Sequence, residues 1–157
     1  MEVFSFLTYK PVLIGLHLGF AIIGIDAFLW LLGELFGESR RLARMKTASL
    51  IGLIGFVLAW LVGGYYYVVY YGKLVKPVIL KGTTPWAHAI AMEAKEHIFL
   101  FLIPMAITIM LAVFLLRDEA EWEPVKKNLK ILVGLTAGLG LFIGALGFII
   151  SAAARWG

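Results

Sequence analysis

Six side chains in an otherwise apolar sequence have the chemistry to hold a metal or move protons: His17, Tyr66, Tyr70, Glu93, Glu96 and His97. The two glutamates and His97 lie in the run PWAHAIAMEAKEHIFLFLIPMAITIMLAVFLL, with His88 and Lys95 beside them. An imidazole nitrogen ligates haem iron, zinc or non-haem iron; a nearby carboxylate either orients that imidazole or joins the metal. Phenols can hydrogen-bond a cofactor carboxylate or a quinone oxygen. Such groups are costly at the mouth of a membrane span unless paired, ligated or wet, so they are read first as functional.

Composition fixes the elements that must position them. Of 157 residues 62% are hydrophobic and only 15% charged, with a mean hydropathy of +0.94, which points to one integral membrane domain. A helix crosses the bilayer core in about 20 residues. The segments 11–36, 47–71, 98–116 and 129–153 meet that length, and none alternates in the two-residue period of a barrel strand. The expected fold is therefore all-α: a four-transmembrane-helix, up-down-up-down bundle. The first segment has no basic n-region and carries Asp26, so it is read as retained and not as a signal peptide.

Helix 3 is expected to start well before its apolar part. Thr84 followed by Pro85 reads as an N-cap and first helical position, giving a helix over 85–116 that extends beyond the bilayer on the outer side. The run KLVKPVILKGTTP, residues 73–85, reads as an external loop, and RDEAEWEPVKKNLK as a solvated turn. Gly15 with Gly19, and the glycine pairs of helix 4, read as sites of close helix packing. Asp26 reads as a packing group that could hydrogen-bond Thr108.

Basic residues orient the chain. Arg40, Arg41, Arg44 and Lys46 crowd one short loop, and placing that loop inside puts eight of the 14 lysines and arginines inside and both termini outside. The membrane expected is a prokaryotic-type inner or plasma membrane. The formal charge of +4 suits lipid headgroups and gives no sign of a nucleic-acid partner. With no cysteine there is no disulfide, thiolate-held cluster or CxxCH attachment for haem.

Depth counting joins the elements to the chemistry. His17 lies 19 residues from position 36, His97 lies 19 from position 116, and Tyr66 lies 19 from position 47. The polar groups thus fall in one layer near the outer face, and two histidines on diagonal helices could ligate the two faces of a haem b. Nine residues separate His88 from His97, which at 100° per residue puts His88 on the other face. In helix number and histidine placement the chain resembles small four-helix membrane cytochromes b, which implies electron transfer with a quinone pool or a redox protein partner. Three histidines exclude a second bis-histidine haem.

Two other readings remain open. One is a membrane oxidoreductase in which Glu93, Glu96 and the two histidines hold non-haem iron, manganese or zinc. The other is a non-catalytic accessory subunit or small transporter, in a homo-oligomer or a larger assembly.

Overall fold

The computed structural model describes residues 8–37, 41–116 and 119–156, all of them helices and the short turns between. In chain order the helices are α1 (Lys10–Phe36), α2 (Leu42–Tyr66), α3 (Lys76–Lys81), α4 (Glu93–Leu115) and α5 (Glu119–Trp156). A π-helical stretch, Tyr67–Val75, joins α2 to α3, and a second, Ala87–Met92, leads into α4. The four continuous rods Lys10–Phe36, Leu42–Lys81, Ala87–Leu115 and Trp122–Trp156 are long and apolar enough to cross a membrane. Their outer faces carry Leu18, Ile22, Trp60, Leu100, Phe101, Leu141 and Phe148 in the open, as contact with a bilayer requires.

Each rod packs chiefly against two others. α1 lies against α2 and α5, and α4 lies against the same two, so α1 and α4 face each other across the ring. The core between them repeats at three- and four-residue intervals: Ile25, Phe28, Leu31 and Leu35 from α1; Met45, Ala48 and Phe56 from α2; Leu102, Ala106, Ile109 and Val113 from α4; Leu129, Val133 and Ala137 from α5. Phe28 and Phe56 meet at 5.3 Å between ring centroids. Glycine lets α1 and α2 touch: a Cβ on Gly55 would sit 2.8 Å from the backbone nitrogen of Gly24, and one on Gly52 would sit 2.7 Å from the Phe28 ring. The glycines expected to pack behave otherwise. Cβ atoms at Gly15, Gly19, Gly138 or Gly144 would meet nothing within 4 Å, whereas one at Gly140 would run into Ile25 at 2.9 Å.

The end of the bundle where α1 meets α2 and α4 meets α5 is here called the base. Polar groups there are satisfied locally. Ser49 donates to the Lys46 carbonyl and Thr136 to that of Leu132, each within its own helix. Glu34, nearly buried, accepts from Trp30 Nε1 at 3.0 Å and from Arg44 at 2.9 Å, with Arg41 at 4.0 Å. Cations are covered by rings: Arg44 by Trp30, Lys46 by Phe114 and Lys130 by Phe36.

Three connections differ from the sequence reading. The external loop expected over 73–85 is helical through Lys81, because Pro77 falls in the first turn of α3, where its missing N–H costs nothing, and Val75 and Ile79 find buried positions. The turn expected before helix 4 is helical from Glu119, with Trp122 fully buried in the core. Thr84 does not cap with its side chain: its carbonyl accepts from Ala87 N–H, while its hydroxyl is buried without a partner. Of the short aromatic stretch Met1–Lys10, whose sequence suggests a segment lying in the membrane interface, residues 1–7 are outside the described residues.

Candidate functional site

The far end of the bundle, the head, is built by the two π-helical stretches. A π turn closes i→i+5 bonds and holds more than four residues, so side chains four apart stand almost directly above one another. Tyr66 stacks on Tyr70 at 6.0 Å and Tyr67 on Tyr71 at 5.1 Å with only 16° between the latter rings. Tyr71 and His88, both buried, are joined at 3.0 Å from the phenol oxygen to Nδ1, which ties one π stretch to the other. Around this pair Val75, Ile79, Ala87, Ala91, Met92, Ile150 and Ala153 form a second apolar cluster, separate from that of the base.

His17 sits below this pair. Its Nδ1 lies 2.8 Å from the carbonyl oxygen of Ala59, one helix away, and the ring rests on Gly63, where a Cβ would come within 2.5 Å of the same nitrogen. A carbonyl only accepts, so Nδ1 carries the hydrogen and Nε2 keeps its lone pair. This is the tautomer and the backbone anchor that ligating histidines require. Across the ring, Lys95 points inward from α4. Its Cε lies 3.6 Å from the Cβ position of Gly147. The Glu96 carboxylate faces the Tyr67 hydroxyl.

The remaining sequence candidates are placed as follows. Tyr66 and Tyr70 share a face, and the Tyr70 hydroxyl donates to the Thr8 carbonyl at 2.9 Å. His97 is exposed; its Nδ1 lies 2.7 Å from the Glu93 carbonyl oxygen, which again leaves Nε2 with a free lone pair. Glu93 is exposed. Since Lys95, Leu102 and Ala106 mark the inward side of α4, His97, two residues on from Lys95, stands on the opposite side. Among the described residues no three His, Asp or Glu side chains gather as metal ligands, so Glu93, Glu96, His17 and His97 do not converge on one point. Asp26 is exposed at mid-span, and Thr108 donates to the Pro104 carbonyl within its own helix, so the two are not a pair.

No family model, no curated protein and no solved structure matches the chain. What the head can do is therefore argued from its own side chains.

Sequence reasoning did not single out Tyr71 or Lys95 as site residues. It put His88 on the face opposite His97, and in the structure His88 is buried against Tyr71 while His97 is exposed. What it missed is the inward partner, Tyr71, that His88 finds across the two π stretches. The spacing of Tyr67 and Tyr71 repeats that of Tyr66 and Tyr70, and that repeat was the available signal for the second stack.

Proposed function

We propose that the chain is a four-helix membrane b-type cytochrome that passes single electrons between a quinol or membrane redox partner and an acceptor at the head side. The observation that carries the reading is the state of two imidazoles. His17 and His97 each give their Nδ1 hydrogen to a backbone carbonyl, leaving Nε2 as a ready donor to iron. His17, wedged against Gly63, is the ligand this geometry offers to the bundle interior, while His97 stands on the outward side of α4 and would reach the same iron only if α4 turned about its axis. Haem b, when bound, supplies a one-electron couple. The chain's own part would be to orient the His17 imidazole, to offer the inward Lys95 as a cation for an acidic group of the cofactor, and to lend the Tyr66 and Tyr70 hydroxyls as hydrogen-bonding groups. A quinone would find a shallow apolar groove lined by Trp86, Phe148, Ile149, Ala152, Ala153 and Trp156.

The same reading includes an up-down order of the helices, the head on the outer side and both termini outside. Antiparallel running of α1 and α2 is supported by the pairing of Glu34 with Arg44, Gly24 with Gly55 and His17 with Ala59. The test is an absorbance spectrum with metal analysis of protein purified in detergent after expression with haem supplied. A Soret band that is lost or shifted in His17→Ala and in His97→Ala is the expected result. Absence of the band, or a band indifferent to both substitutions, overturns the proposal.

A second reading, a small transporter or accessory subunit without haem, is favoured by a different observation. The buried Tyr71–His88 pair and inward Lys95 put exchangeable protons inside the head without calling for a metal. That reading predicts neither Soret band nor bound metal.

A further inference from the structure

The seam between α2 and α4 opens toward lipid in a groove of about 210 Å³, lined by Trp60, Phe99, Leu100, Ile103 and Pro104. Two polar groups on its wall are unanswered. Pro104 has no N–H, so the Leu100 carbonyl, one turn before it, lacks the donor an α-helix would supply. The exposed Trp60 indole has no hydrogen-bond partner among the described residues. Lys46 resting on Phe114 sets a common level for the two helices at the base. Trp60 lies 14 residues after Lys46 and Leu100 lies 14 before Phe114, so both stand about 21 Å from that level at about 1.5 Å per residue. That depth is inside a hydrocarbon layer about 30 Å thick, where no water is at hand and an unpaired N–H or C=O is costly.

We propose that this groove is a quinol-binding site, in which one ring hydroxyl donates to the Leu100 carbonyl and accepts from the Trp60 N–H. The occupant must carry a donor and an acceptor together on an apolar body. An acyl chain carries neither, and a phospholipid ester carries acceptors only and stays at headgroup level. A hydroxyl carries both. The rings of Trp60 and Phe99 favour a hydroxyl on a flat aromatic ring over one on an aliphatic alcohol. Trp60 also follows Ala59, whose carbonyl takes the His17 Nδ1 hydrogen, so the occupant sits one residue from the anchor of that imidazole. The proposal rests on the quinol partner of the cytochrome reading and gives it a place within the hydrocarbon, apart from the groove at Trp86 and Trp156.

The full chain in phosphatidylcholine nanodiscs, prepared with and without haem, is titrated with a decyl-substituted benzoquinol kept reduced under argon, and binding is read by equilibrium dialysis against empty nanodiscs. The expected result is saturable binding in both preparations. Trp60→Phe keeps a ring but loses the N–H, and should weaken binding roughly two- to tenfold, the worth of one hydrogen bond. Pro104→Ala returns a helical donor to the Leu100 carbonyl and should weaken binding to a similar extent without lowering thermal stability, so that unfolding is not the cause. Trp30→Phe at the base should leave the affinity unchanged. No saturable binding, both groove variants as tight as the parent, or an equal loss in Trp30→Phe overturns the proposal. So does equal affinity for the dimethyl ether of the same quinol or for an aliphatic alcohol of the same size. Since binding is read without haem, a missing Soret band counts against the cytochrome alone, and missing binding in protein that shows the band counts against the groove alone.

Discussion

The base and the head solve the same packing problem with opposite means. The base is regular α-helix around Phe28, Phe56, Leu102 and Ile109, with its hydroxyls answered inside their own helices, its cations covered by rings, and Glu34 bridged to Arg44 at the surface. The head abandons α geometry in both π stretches and holds itself with bonds between segments: Tyr71 to His88, Tyr70 to Thr8, His17 to Ala59. π turns are rare and cluster at functional sites. The contrast indicates where stability was secured and where geometry was bent to aim side chains.

The largest effect is expected from Phe28→Ala. It removes a fully buried ring from the base and should cost about 3–5 kcal/mol, read as a loss of thermal stability in detergent that reaches every helix. An equal loss confined to the head would mean that the two ends do not share one core. Gly63→Ala comes next. The added methyl meets His17 and should displace the imidazole from Ala59 at a cost of about 1–3 kcal/mol, seen as a shifted Soret band or altered His17 NMR signals with the base unchanged. Tyr71→Phe strips the buried His88 nitrogen of its partner for about 1–3 kcal/mol; amide exchange should quicken across 67–92 and stay slow in α4 beyond Leu102. The smallest effect is expected from Glu34→Gln. Loss of the Arg44 bridge at the base should cost about 1 kcal/mol or less, shrink further in salt, and leave head spectra untouched.

The same contrast explains what was legible. Four spans are visible in the sequence because the base and the outer faces are made of long apolar runs, and a run of about 20 such residues has few alternatives in a bilayer. The stacked pair Tyr66 and Tyr70 is readable from its i,i+4 spacing. The partnership of Tyr71 with His88 is not, since a π stretch changes the angle of every later side chain and no residue type announces one. Trp122 went unread because its neighbours are charged, and charge pattern alone gives no hint that one indole in that segment turns into the core. The helical run through Lys81 was hidden by Pro77, which looks like a breaker until its place in a first turn is known.

The ring-covered cations of the base have a mechanical consequence. Arg44 and Lys46 on α2 and Lys130 on α5 each rest on an aromatic face supplied by α1 or α4, and aromatic rings with basic tips are the groups that hold a level at a membrane surface. A chain clamped at one surface cannot slide when the lipid thickens or thins. The mismatch must then be taken up at the other end, by the turns whose winding has already departed from the α-helix. Lipid thickness would thus reach the chemistry of the head as a change in pitch between Tyr67 and Met92, making bilayer composition a setting for the site as well as its surroundings.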